Sequence, residues 1–256
     1  QNMAFHYSPK AVTDGLVLAL DASNPKCMVN GATTATDLAG KYTLQGLSGT
    51  GLSVVEYTPS DAGNPAVGAV DFTNDGTTYP YMDDQGQFDF RSEISWMCIA
   101  CKETNSGRQS IWSAIEDVSP WDGAGLVSYS HDNNGKLAWW SGNNYGGWWD
   151  TSITLPTNKW IWSAGTWSGT TQKVWAKWDG SSTFETDTRT GHAFNNPTDQ
   201  ETNFTLGDNG TDGDDGSGPA SRIIDGAIAY VAIWSKALTQ AEVEQNYYAL
   251  KTRFGL

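Results

Sequence analysis

The 256-residue chain has few basic residues and no long apolar run, and each shortage argues against a class of partner. Fifteen Lys and Arg stand against 29 Asp and Glu, which gives a formal net charge of -14. Nucleic acids and anionic membranes both favour clustered basic side chains. No apolar run approaches the roughly 18 residues that a membrane-spanning helix needs. We therefore expect no nucleic-acid partner and no membrane insertion.

Cysteine is also scarce, because the chain has only three, too few for the disulfide framework of a small secreted domain. Cys98 and Cys101 have the spacing of half a zinc or redox site, but no second pair follows. Their segment has the composition of a strand, in which residues three apart point to opposite faces. We predict buried thiols here, with metal or redox chemistry as the alternative.

Glycine and tryptophan are abundant, with 28 and 13 residues. Short strand-like runs alternate with clusters of Gly, Asn, Asp, Ser and Thr up to about residue 235. Many short strands with almost no helical periodicity predict an all-β fold, an antiparallel sandwich of two sheets. Two hairpins are predicted, at Asp132–Gly135 and Trp167–Thr171, because their turn residues tolerate positive φ.

The two ends of the chain depart from this pattern. Residues 1–13 show neither strand nor helix periodicity, so we predict an N-terminal arm, and no signal peptide is visible there. Thr239 and Glu242 form the capping box of one clear helix, predicted over 239–251. Its apolar side must be covered by the sandwich or by a neighbour. Residues 14–256 are then one domain that includes this helix.

Four segments carry a family resemblance: 14–26, 70–76, 88–102 and 226–256. They resemble the laminin-G-like, concanavalin A-type jelly-roll domains, and more closely the version found in tailed-phage virion proteins. The last segment is the most specific, because a strand, a Lys-Ala-Leu turn and a short amphipathic helix ending in Arg-Phe-Gly follow one another. The resemblance implies a jelly-roll sandwich of two antiparallel sheets with a short C-terminal α-helix.

Glucanases share this fold, and their catalytic carboxylates are typically spaced as Glu-x-Asp-x-x-Glu on one strand. The nearest approach in this chain starts at Glu185 and Asp187, but Thr190 stands where the second Glu belongs. Without a pair of carboxylates across the scissile bond, glycoside hydrolysis has no acid and base. We therefore expect no enzymatic activity, and a glycosidase is the least favoured function.

Nine of the 13 Trp fall between Trp139 and Trp178. Exposed indoles stack on sugar rings, and neighbouring amides bind the hydroxyls. Because adjacent strand residues point to opposite faces, only one of Trp139 and Trp140 can face the core, and the same holds for the pair at 148 and 149. Alternation also predicts Trp175 on a solvated face between two lysines. The candidate glycan contacts are Trp139, Trp140, Asn143, Asn144, Tyr145, Trp148, Trp149 and Trp175; packing in the core or against a subunit is the alternative.

The loop at 208–216 concentrates carboxylates on a Gly-rich backbone, a composition that suits Ca²⁺. Its candidate ligands are Asp208, Asp212, Asp214 and Asp215. The loop is not an EF-hand, because its third position is Gly210 and its twelfth is Pro219. A solvated turn is the alternative.

Two classes of function follow from the resemblance and the tryptophans. The first is a non-enzymatic virion structural protein, a decoration or adhesion module on the head, neck or tail of a tailed phage, with glycan contact as a further role. It implies assembly in the host cytoplasm, with other virion proteins or copies of the chain as partners and the arm and C-terminal helix as docking surfaces. The second is a stand-alone lectin that binds cell-surface glycans.

Overall fold

Short strands rich in apolar and aromatic residues build two antiparallel sheets, and the all-β prediction is confirmed. The computed structural model describes residues 10–46, 52–61, 63–72, 80–82, 92–116, 123–141, 147–193, 202–207 and 223–256. The strands are β1 (Leu16–Asp21), β2 (Thr34–Thr36), β3 (Thr43–Gly46), β4 (Val54–Tyr57), β5 (Val67–Asp71), β6 (Pro80–Met82), β7 (Glu93–Lys102), β8 (Ser110–Glu116), β9 (Gly123–Ser128), β10 (Lys136–Trp140), β11 (Trp148–Thr154), β12 (Ile161–Ser168), β13 (Thr171–Trp178), β14 (Glu185–Thr190), β15 (Thr202–Leu206) and β16 (Gly226–Trp234). The helix α1 spans Gln240–Phe254.

Each sheet contains eight strands. Sheet A has the order β14-β13-β12-β7-β16-β5-β4, and β1 pairs with the second half of β16. Sheet B has the order β11-β10-β9-β8-β15-β6-β3-β2. Both predicted hairpins are present, one joining β9 to β10 and the other joining β12 to β13.

The main core lies between the two sheets and contains a chain of tryptophans in edge-to-face contact. The rings of Trp96 and Trp139 are 5.5 Å apart, and those of Trp139 and Trp167 are 5.9 Å apart. Glycine makes room for them, since a Cβ on Gly165 would lie 2.5 Å from the Trp96 indole. A side chain at that position would displace the indole, so this packing requires glycine.

The helix α1 covers the outer face of sheet A and forms a second core there. Its N-cap is Thr239, which forms the predicted capping box with Glu242, and it ends at Gly255 in the left-handed conformation. The helix therefore runs three residues beyond the predicted end. Its buried residues include Val243, Tyr247 and Phe254, so the apolar face predicted from the sequence packs on the chain's own sandwich.

The three cysteines are free and buried, which confirms the prediction made for Cys98 and Cys101. Cys98 faces the core between the sheets, whereas Cys101 faces the second core under the helix. Burial raises the pKa of Cys98 to about 11 and that of Cys101 to about 12. Both thiols are therefore protonated at neutral pH, which disfavours metal or redox chemistry.

Candidate functional site

The tryptophans between 139 and 178 are divided among three layers of the molecule. The core between the sheets holds Trp139, Trp149 and Trp167. The layer under the helix holds Trp160, Trp162 and Trp175. Two more, Trp140 and Trp148, are partly exposed on the outer face of sheet B. The remaining one, Trp178, is partly buried against the first core.

The alternation predicted for the two Trp pairs is confirmed. Trp139 is fully buried while Trp140 is partly exposed, and Trp149 is buried while Trp148 is partly exposed. The assignment of Trp139 and Trp149 as glycan contacts is therefore wrong, because both indoles fill the core between the sheets.

The prediction that Trp175 lies on a solvated face is also wrong. Its side chain does point away from the core between the sheets, and the Lys173 ammonium lies 4.8 Å from its ring. That face, however, is covered by α1, and Trp175 is only 3% exposed. Strand alternation gives the direction of a side chain but does not show what packs on top of it.

Trp140 and Trp148 form a patch at the edge of sheet B, which we call the Trp140–Trp148 patch. The two residues pair directly across β10 and β11, and their rings are 5.5 Å apart with an interplanar angle of 55°. Asp150 lies two residues along β11 on the same face. Further toward the middle of the sheet, the outward residues Ser113, Leu126 and Ala138 are buried. This face is therefore accessible at its β10–β11 edge and, at the opposite end of the sheet, on β2 and β3.

His131 is a member of the patch that the sequence did not predict. Its ring stacks on Trp148 with centroids 4.0 Å apart and an interplanar angle of 18°. Its Nδ1 lies 3.0 Å from an Asp150 oxygen, and its Nε2 lies 3.5 Å from an Asp132 oxygen. The Arg108 guanidinium carbon lies 4.8 Å from the centroid of the Trp148 ring. Trp148 is thus held in place by its neighbours.

The turn of the β9–β10 hairpin places His131 beside β11. Asp132 and Asn133 adopt positive φ values of 51° and 64°, which Asp and Asn tolerate better than most residues. The side-chain oxygen of Asn134 accepts hydrogen bonds from the backbone N–H of His131 and of Lys136. These bonds fix the turn, and the turn fixes the imidazole against Trp148.

Lys102, at the end of β7 in sheet A, holds the same hairpin through hydrogen bonds. Its fully buried ammonium donates to Asn105 Oδ1 at 2.7 Å, to the Tyr129 carbonyl at 2.9 Å and to the Gly135 carbonyl at 3.0 Å. Burial lowers the pKa of this ammonium to about 8. A strand of sheet A therefore holds the turn of sheet B that carries His131.

Several predicted site residues lie outside the described part of the chain. These are Asn143, Asn144 and Tyr145 of the glycan prediction and Asp208, Asp212, Asp214 and Asp215 of the calcium prediction. Among the described residues, no cluster of three His, Cys, Asp or Glu could hold a metal ion. The same residues include no helix both long and apolar enough to cross a membrane. The calcium site stays a prediction.

The nearest approach to a glucanase motif lies on β14, at the edge of sheet A. Glu185 is exposed, and Asp187 accepts a hydrogen bond from the backbone N–H of Ser152 at 2.6 Å. Asp187 therefore joins the edges of the two sheets, β14 and β11, which is a structural role.

Comparison with solved structures shows the fold. A Trypanosoma rangeli sialidase in complex with sialic acid is 13% identical, with a TM-score of 0.57 over 94% of this chain and 34% of that one. Domain 4 of AbnA, an extracellular arabinanase from Geobacillus stearothermophilus in complex with arabinotriose, is 15% identical, with a TM-score of 0.51 over 91% of this chain and 98% of that domain. The chain thus spans about a third of the length of the sialidases that it matches.

No curated protein matches the sequence. A family match covers residues 96–244, more than half of the chain, and its boundaries enclose β8 to β16 and the start of α1. Together with the two antiparallel sheets, it shows that the chain belongs to the concanavalin A-like lectin/glucanases superfamily.

Proposed function

We propose that this chain is a non-enzymatic glycan-binding module whose contact surface is the Trp140–Trp148 patch. The observation that carries the proposal is the pair of partly exposed indoles, side by side across two strands, with the carboxylate of Asp150 beside them. A sugar ring offers an apolar C–H face to an indole and a rim of hydroxyls to polar groups. The patch supplies both kinds of partner within one strand pair.

The chemistry of His131 supports a binding role over a catalytic one. Both ring nitrogens face carboxylates, Nδ1 toward Asp150 and Nε2 toward Asp132. A general base that activates a nucleophile needs one nitrogen directed at that nucleophile. The ring also lies flat on Trp148, so it acts here as a packing partner.

The solved relatives support the proposal at the level of the fold. One arabinanase domain was solved with arabinotriose and one sialidase with sialic acid, so related sandwiches occur in proteins that contact carbohydrate. Sites differ among proteins of one fold, and for this reason the proposal rests on the patch itself.

The experiment compares Trp140→Ala with Trp178→Ala on a glycan array, followed by calorimetry on the best ligand. Trp178 is a matched control because it is also partly buried but lies on a strand of sheet A. We expect Trp140→Ala to weaken binding at least tenfold and Trp178→Ala to leave it unchanged. Absence of binding by the wild-type protein, with and without Ca²⁺, would overturn the proposal, as would full affinity in Trp140→Ala.

The virion location is a second proposal, and it rests on the four segments that resemble tailed-phage proteins. The apolar face of α1 packs on its own sheet, so docking to a particle would use other surfaces of the helix or of the arm. Mass spectrometry of purified phage particles tests the location. Detection of the chain at a fixed copy number supports it, and absence from intact particles contradicts it.

A further inference from the structure

The Trp140–Trp148 patch contains charged side chains, and their arrangement bears on the class of glycan. Among the described residues of the patch, the basic side chains are Arg108 and His131, and the carboxylates are Asp132 and Asp150. An acidic sugar, such as a sialic or uronic acid, is typically recognised by an arginine that points its N–H groups at the carboxylate.

Neither of these two basic side chains is arranged to bind a sugar carboxylate. The guanidinium of Arg108 lies over the Trp148 ring, with its central carbon 4.8 Å from the ring centroid. His131 is 8% exposed and has a carboxylate at each ring nitrogen. Both groups are therefore engaged within the protein.

One more arginine approaches this edge from sheet A. Arg189, on β14, donates from Nε to Gln172 Oε1 at 2.7 Å and from Nη2 to Ser141 Oγ at 3.2 Å. Its guanidinium carbon lies 5.5 Å from the centroid of the Trp149 ring, which belongs to the core between the sheets. This guanidinium is therefore also directed at groups of the protein.

The carboxylates, in contrast, face solvent. The Asp132 side chain is 76% exposed and the Asp150 side chain is 38% exposed. Lys136 is the nearest lysine on the same strand, but it lies four residues from Trp140, roughly 13 Å along β10. The chain as a whole carries a net charge of -14, which adds long-range repulsion for anions at low salt.

We infer that the Trp140–Trp148 patch selects neutral glycans and discriminates against acidic ones. This inference rests on the proposed function. Exposed carboxylates accept hydrogen bonds from sugar hydroxyls, and the same carboxylates repel a sugar carboxylate placed on the neighbouring indole. The fold is shared with sialidases, but the charges of this patch are opposite to those that a sialic acid needs.

The test measures binding to matched pairs of sugars, each a neutral oligosaccharide and the same oligosaccharide with one acidic residue. Suitable probes are lactose with 3′-sialyllactose, and xylotriose with its glucuronic acid-substituted form, within a wider panel. We expect the neutral member to bind at least tenfold more tightly at 20 mM salt, and the ratio to shrink at 0.5 M salt as the charges are screened.

A double variant, Asp132→Asn with Asp150→Asn, should reduce the ratio while the amides still accept hydrogen bonds. The control is Asp179→Asn, an exposed carboxylate in the turn between β13 and β14, which should leave the ratio unchanged. Equal or tighter binding of the acidic member overturns the inference and leaves the proposed function standing. A ratio unaffected by the double variant also overturns it. Failure of every pair to bind overturns both.

Discussion

The outer faces of both sheets carry tryptophans, which are buried on sheet A and partly exposed on sheet B. On sheet A, Trp162 and Trp175 point outward and are buried under α1. On sheet B, Trp140 and Trp148 point outward and remain partly exposed beside charged neighbours. The indoles under the helix contact other apolar rings, such as that of Tyr247, 5.3 Å from Trp162. What distinguishes the buried outward indoles from the partly exposed ones is whether a helix packs on that face of the sheet.

The largest effect that the comparison predicts is on stability. Replacing Trp162 with Ala removes a fully buried indole from the layer under the helix and should lower the free energy of unfolding by about 3–5 kcal/mol. Replacing Trp140 with Ala on the other face should cost less than about 1 kcal/mol, because the indole is partly exposed already. Urea denaturation of the two variants gives both numbers. Equal losses would mean that the patch on sheet B is another core.

The second prediction concerns Lys102, which connects the two sheets beneath the patch. Its pKa is about 8 in the folded protein against 10.5 ordinarily, so between these pH values the unfolded chain binds more protons. The stability of the wild type relative to Lys102→Met should therefore rise by about 3 kcal/mol between pH 8 and 10.5, the window set by the two pKa values. Chemical denaturation of both proteins across this range measures it. If the difference in free energy of unfolding between the two proteins stayed constant or fell over this pH range, the lowered pKa of Lys102 would be contradicted.

The smallest effect on stability is predicted for His131, which packs against Trp148 on the partly exposed face of sheet B. His131→Ala removes the ring stacked on Trp148 and should lower the free energy of unfolding by about 1 kcal/mol. The near-ultraviolet circular dichroism of the indoles should change at the same time. His131→Phe keeps a flat ring at that position and should restore most of the spectrum. An unchanged spectrum in His131→Ala would show that the stack does not order Trp148.

Much of the fold could be predicted from local signals in the sequence. The capping box at Thr239, the hairpin turn at Asp132–Gly135 and the alternation of the Trp pairs each depend on residues close in the chain. Each is confirmed in the structure. The predicted end of the helix is three residues too early, because the helix continues to Phe254 and ends only where Gly255 adopts the left-handed conformation.

The candidate site was less predictable, because its members meet only through long-range pairing. His131 reaches Trp148 because β10 pairs with β11 in one particular register. Lys102 ends an apolar strand, and nothing next to it in the sequence indicates a bond to the hairpin at Gly135. A turn sequence directly after His131 was the one local signal available, since it places that residue at a strand end beside a neighbouring strand.

The central position of β16 has a consequence for how the protein is made. This strand pairs with β7 on one side and with β5 and β1 on the other, and it is the last strand in the chain's described part. Sheet A therefore cannot be completed on a ribosome until residue 234 has emerged. Until then β1 and β7 lack a partner that they have in the native sheet, and their apolar edges are open to pairing with other chains. A chain truncated before β16 should therefore aggregate more readily than the chain that contains it.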